Sequence, residues 1–95
     1  MVDWKRTRLE FTPETHNHIM KHGIKRFEVE EVFNHKIIPR KVRDNGETRY
    51  VVLGESFGRI LMVIVAPLSG NRVRVITAYE PSDGHKKVYR EKHKR

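Results

Sequence analysis

The feature that most constrains this chain is a run of strand-turn-strand signals from Ile37 to Glu80 with almost nothing between them. Asn45-Gly46 separates Ile37-Ile38-Pro39-Arg40-Lys41-Val42 from Tyr50-Val51-Val52-Leu53. Asn-Gly suits a type I′ turn, in which both central residues take positive φ. Glu55-Ser56-Phe57-Gly58 then precedes Ile60-Leu61-Met62-Val63-Ile64-Val65, and Leu68-Ser69-Gly70-Asn71 precedes Val73-Arg74-Val75-Ile76-Thr77-Ala78-Tyr79. The segments are rich in β-branched and aromatic residues, and the gaps carry turn chemistry. An antiparallel meander is the simplest solution. Its third segment, apolar on both faces, should be central.

Strict alternation assigns the faces. On the second meander strand Glu47, Arg49, Val51 and Leu53 oppose Thr48, Tyr50 and Val52. On the fourth, Arg72, Arg74, Ile76 and Ala78 oppose Val73, Val75, Thr77 and Tyr79. Ahead of the meander, Trp4–Phe11 alternates imperfectly and is a further strand candidate. Thr12-Pro13-Glu14 reads as a helix start, with Thr12 as N-cap and Pro13 at the first helical position. That helix should end near Lys21 or His22, at Gly23. A second helix is expected from about Lys25 to Asn34, burying Phe27, Val29, Val32 and Phe33. After Pro81-Ser82-Asp83, residues 84–95 can form a short basic helix anchored by Val88 and Tyr89. The expected fold class is therefore α+β in two layers: β-α-α, an antiparallel meander of three to four strands, and a short C-terminal helix. The helices should cover one sheet face and leave the other partly open.

Composition narrows the function. Twenty Lys and Arg against twelve Asp and Glu give a net charge of +8 with neutral histidines. Such a surface attracts polyanions, nucleic acid above all, although an acidic protein would answer the same charge. Cysteine is absent, which removes disulfides and thiolate metal sites. No apolar run reaches membrane-spanning length, so no membrane partner is expected and a cytoplasmic location is. No glycine-rich phosphate loop is present, and Ser56 and Ser69 lack triad partners. His18 and His22 stand four apart, as a zinc pair would, but the intervening Lys21 opposes a cation and no third ligand is indicated. No metal and no small-molecule cofactor is expected.

Several pieces together resemble a known family. Lys21-His22-Gly23-Ile24, Glu30-Glu31-Val32-Phe33, Gly46-Glu47-Thr48-Arg49-Tyr50, Leu53-Gly54 and Arg74-Val75-Ile76-Thr77-Ala78 stand in the order and approximate spacing of the BrnT-type toxins. These are ribonucleases of type II toxin–antitoxin systems with a RelE-like fold. The resemblance runs from about Phe11 to Tyr89 and implies one RelE-like domain over residues 1–95, with residues 86–95 as a basic tail. It also implies an endoribonuclease that cleaves RNA without metal and is inhibited by a cognate antitoxin. Two departures stand out. Phe11-Thr12 replaces the family's Trp-Asp pair, and Thr77-Ala78-Tyr79 replaces its Ser-Ala-Arg.

Metal-free RNA cleavage needs a base for the 2′-hydroxyl, positive charge on the phosphorane and an acid for the leaving oxygen. The resemblance implies that Lys21, Arg49 and Arg74 approach the scissile phosphate, with Tyr79 or His22 in proton transfer. An arginine fork on a stiff strand suits phosphate, but Arg49 can equally pair with Glu47. Lys21 and His22 also suit the negative end of a helix dipole. Arg40, Arg43 and Arg59 are candidates to track an RNA backbone, or to protect a sheet edge. Lys86 in the tail is a further candidate RNA contact. Tyr89 is either a base-stacking group or the anchor of the last helix. A non-catalytic RNA- or DNA-binding module on the same scaffold is the alternative reading.

Overall fold

The turn chemistry is realised as hairpins. In the computed structural model, which describes residues 2–93, four strands form the meander: β2 (Ile37–Asp44), β3 (Glu47–Ser56), β4 (Arg59–Leu68) and β5 (Arg72–Tyr79). Asn45 and Gly46 take φ of 51° and 79°, as the type I′ turn requires. Phe57 holds φ of 49° ahead of Gly58, a conformation that β-carbon sterics disfavour. A short β1 (Arg8–Glu10) adds to β5 in parallel, giving the sheet order β1-β5-β4-β3-β2. The N-terminal strand candidate thus shrinks to three residues and joins outside the meander.

Helix α1 (Pro13–Lys21) starts as its sequence dictates. Thr12 Oγ1 accepts from the Thr15 amide at 3.1 Å, and Pro13 fills the first turn. It ends at Gly23, whose φ is 74°. Helix α2 spans Arg26–Val32, shorter at both ends than the Lys25–Asn34 expectation. Its buried residues are Val29 and Val32, with Phe33 packed alongside. Phe27 is corrected: it is 54% exposed and meets the exposed Phe57 ring at 5.7 Å. Both helices lie on one sheet face. There Ile19, Ile24, Val29 and Val32 pack on Val52, Val63, Val65, Val73, Val75 and Ala78. Gly54 lets α2 approach closely, since a Cβ there would meet Val32 Cγ1 at 2.7 Å.

Helix α3 (Asp83–Lys92) covers one end of the second face and leaves the rest of it open. Tyr89, 5% exposed, packs there on Leu53, Ile60 and Met62, and its hydroxyl donates to the Lys36 carbonyl at 2.7 Å. Val88 is 53% exposed, so Tyr89 alone serves as the apolar anchor. Of the expected basic tail, Lys94 and Arg95 lie outside the described residues. No helix among the described residues is long and apolar enough to cross a membrane.

Alternation holds along β3 and fails along β5. Ile64 pairs with Thr77 and Val65 with Val75, so Ile76 is an extra residue, a β-bulge. Beyond it the parity reverses. Ala78 joins Val73 and Val75 in the helix-side core, and Thr77 and Tyr79 turn to the face that carries Arg74.

Candidate RNA-binding face

The register places the arginines. Ala66 pairs with Arg74, and Val65 pairs with Tyr50, so Arg49 lies level with Ala66 in the same cross-strand row. Arg74 in turn pairs with Glu10, and Arg49 with Val42. Arg49 and Arg74 therefore share a face with one strand between them, roughly 10 Å apart at the backbone by ordinary strand spacing. The small, buried Ala66 forms the floor between them. One row along, Arg40 pairs with Val51, Val51 with Ile64, and Ile64 with Thr77. Tyr79 stands in the next row, opposite Met62. Helix α3 covers Leu53, Ile60 and Met62 at that end. The row of Arg49, Ala66 and Arg74 lies beyond this cluster.

The cations on this face differ in how they are held. Arg49 donates to the Thr48 carbonyl at 3.0 Å and ion-pairs with Glu47, leaving its side chain 18% exposed. Arg72 is tied to Glu10 and to the Ser69 carbonyl. Arg74 and Arg40 are exposed and belong to none of the ion pairs among the described residues. Arg74 and Arg40 are thus available guanidinium groups on this face.

The proposed proton-transfer groups sit at the far end of β5. His22, at the C-terminal cap of α1, brings its ring to 6.3 Å from that of Tyr79. His18 stacks edge-on with His22 at 5.1 Å. The Tyr79 hydroxyl points to Met62 Sδ at 3.0 Å. Lys21 is exposed in the last turn of α1. Arg74 and Tyr79 are five residues apart on one face, on the order of 15 Å along the strand. The candidate residues therefore form two groups: His22, Tyr79 and Lys21 at the C-terminal end of β5, and Arg49 and Arg74 toward the other end of the sheet face. Among the described residues no cluster of three His, Cys, Asp or Glu side chains could hold a metal ion.

Other sequence candidates stand elsewhere. Arg43 falls on the face opposite Arg40 and donates to the Gly46 carbonyl at 3.1 Å. Arg59 pairs with Glu28 of α2 at 3.1 Å and with Glu80 at 3.6 Å, at the opposite end of β4 from Arg74. Lys86 pairs with Glu80 at 3.6 Å. Burial of Tyr89 corrects its base-stacking reading, because its ring is spent on packing. Sequence reasoning missed Arg8, which β1 places level with Arg72 at the rim of the arginine face. It also missed Thr77, brought there by the bulge. Phe11 packs against the core with the Arg26 guanidinium 4.6 Å over its ring.

A two-layer α+β domain with arginines on its sheet is the class defined so far, and comparison with known proteins makes it specific. A family model described as the ribonuclease toxin BrnT of type II toxin–antitoxin systems matches residues 12–84. The chain belongs to this family of ribonuclease toxins. The crystal structure of the Brucella abortus ribonuclease toxin BrnT is similar, with a TM-score of 0.56 and 25% sequence identity. That match covers 80% of this chain and 97% of the other. A search of curated proteins returns no match. Family membership implies RNA as the target class and an antitoxin as the partner class.

Proposed function

We propose that this chain is an endoribonuclease toxin acting in the cytoplasm as one RelE-like domain, cleaving RNA without metal until a cognate antitoxin masks it. RNA lies along β5 on the arginine face. Arg74 and Arg49 bind phosphate oxygens flanking the Ala66 floor, Arg40 extends the track, and His22 and Tyr79 serve proton transfer at the strand end. The 2′-hydroxyl gives up its proton to His22 and attacks the adjacent phosphorus. Lys21 charge stabilises the phosphorane, while Arg49 and Arg74 hold neighbouring phosphates of the strand. The bond to the 5′-oxygen then breaks as Tyr79 returns a proton to it. Guanidinium, imidazole, phenol and ammonium groups supply both charge and protons, so the proposed steps call for no metal ion.

The observation that supports this most is the bulge at Ile76, which puts Tyr79 on the face of Arg74 and Arg49. The test is cleavage of a single-stranded RNA in EDTA by purified protein. Wild type should cut. Tyr79→Phe and His22→Ala should lower the rate by about 10²–10⁴-fold, the usual worth of general acid–base groups, with unchanged melting temperatures. Full activity in both variants, or cutting that requires added Mg²⁺, refutes the mechanism. Binding without any cleavage would select a non-catalytic module.

A further inference from the structure

A cleft of about 830 Å³ opens at the start of β2, at the Glu55 end of the face that carries Arg49. Three separate segments build it. The N-terminal arm supplies Lys5, the connection from α2 to β2 supplies His35 and Lys36, and the C-terminal cap of α3 supplies His93. Phe33 and Tyr89 give it aromatic walls, and Glu55 is its single carboxylate. The size suits a nucleotide-scale ligand.

Two observations point to an anion with a ring attached. First, Lys5 and Lys36 are exposed and enter none of the ion pairs among the described residues, whereas Arg59, Arg72 and Lys86 are each neutralised by a carboxylate. Second, His93 Nε2 is buried with no hydrogen-bond partner among the described residues, while its ring packs at a tilt against Tyr89, centroids 4.6 Å apart. A buried ring nitrogen without a partner costs free energy unless a ligand or water meets it. The Tyr89 hydroxyl holds the Lys36 carbonyl, which fixes the backbone that carries this lysine. Lys5, Tyr89 and His93 lie outside the residues matched by the family model, so part of the cleft is built by segments that the family pattern does not cover.

We infer that this cleft is a second RNA subsite, taking one nucleotide of the strand outside the scissile step. Lys5 and Lys36 hold its phosphate, and the rings of Phe33 and His93 receive its base. This rests on RNA being the substrate, as proposed above. Ile38, Leu53, Met62 and Tyr79 share one cross-strand row, and Lys36 lies two residues beyond Ile38, so the cleft stands roughly 16 Å from Tyr79 at the backbone. Tyr89 of α3 lies over Leu53 and Met62 between them, so a strand of several nucleotides reaches the cleft by passing around α3. The subsite therefore adds affinity for longer RNA and leaves the chemistry untouched.

The test uses a 2′-O-methyl RNA of about twenty nucleotides, which cannot be cleaved, and compares wild type with the Lys5→Glu/Lys36→Glu double variant. Lys41→Glu/Lys87→Glu is the control of equal charge change. The cleft variant should bind roughly tenfold more weakly, and its log-affinity against log-salt slope should fall by about 0.7 for each lysine lost. Cleavage of a tetranucleotide should match wild type. Uridine 5′-monophosphate should shift the His93 Nε2 resonance in heteronuclear NMR spectra. Affinity no lower than that of the charge-matched control overturns the inference. So does a variant that loses antitoxin affinity while keeping wild-type RNA affinity, which would make the cleft a protein-docking site. Should wild type fail to cleave RNA at all, the Proposed function falls, while lysine-dependent binding of the uncleavable RNA would still establish the subsite.

Discussion

Glu47→Gln should make the protein bind RNA more tightly. Glu47 shares its face and strand with Arg49, and the two side chains form an ion pair. The carboxylate is 65% exposed and the guanidinium 18%. An approaching phosphate meets two obstacles. It must compete for the guanidinium, and an exposed ion pair is worth about 0.2–1 kcal/mol. It must also approach a like charge at roughly 7 Å, which costs about 0.6 kcal/mol at the dielectric of water before salt screening. Removing the charge while keeping the amide's shape should therefore gain on the order of 1 kcal/mol, or about fivefold in affinity. Fluorescence anisotropy with an uncleavable single-stranded RNA measures it. The same substitution in an Arg49→Ala background isolates the competition for the guanidinium, which should vanish there and leave only the through-space part. Unchanged or weaker binding by Glu47→Gln, or a gain of undiminished size without Arg49, would refute Arg49 as a phosphate contact.

Gly54→Ala should destabilise the fold. Its new Cβ would sit 2.7 Å from Val32 Cγ1 and 3.2 Å from Ile37 Cγ2; the overpacking costs about 1–3 kcal/mol, against a gain of about 0.4–1 from a stiffer unfolded chain. Thermal melting should show a drop of several degrees that Val32→Ala partly relieves, and an unchanged midpoint would contradict the close approach of α2. Acid stability should depend on Glu31, whose carboxyl is held below its usual range by hydrogen bonds from His35 and Asn34, at 2.7 Å and 3.1 Å. Its contribution is complete above the ordinary carboxylate range and fades as pH falls through the lowered value. Glu31→Gln should therefore melt earlier than wild type at neutral pH and converge with it in acid, and a pH-independent gap in midpoint would reject this.

What the sequence made legible was whatever short-range chemistry decides. Thr12-Pro13 and Gly23 bracket α1, and Asn45-Gly46 sets a turn whose register fixes Arg49 and Val51 on one face. Packing choices were opaque. Phe27 reads as a core residue because its spacing fits the helix stripe, yet α2 turns it outward to meet Phe57. One tyrosine cannot announce which sheet face α3 will cover. Least legible was Ile76. Val73 to Tyr79 is uninterrupted by glycine or proline, so strict alternation is the natural reading, and it sends Arg74 and Tyr79 to opposite faces because they are an odd number of residues apart. Only the pairing with β4 shows the extra residue that reverses the parity. The resemblance to the toxin family implied roles for both side chains, while alternation set them on opposite faces. The bulge removes that conflict, since one inserted residue lets a strand present a guanidinium and a phenol to the same RNA while Ala78, between them in sequence, stays in the core.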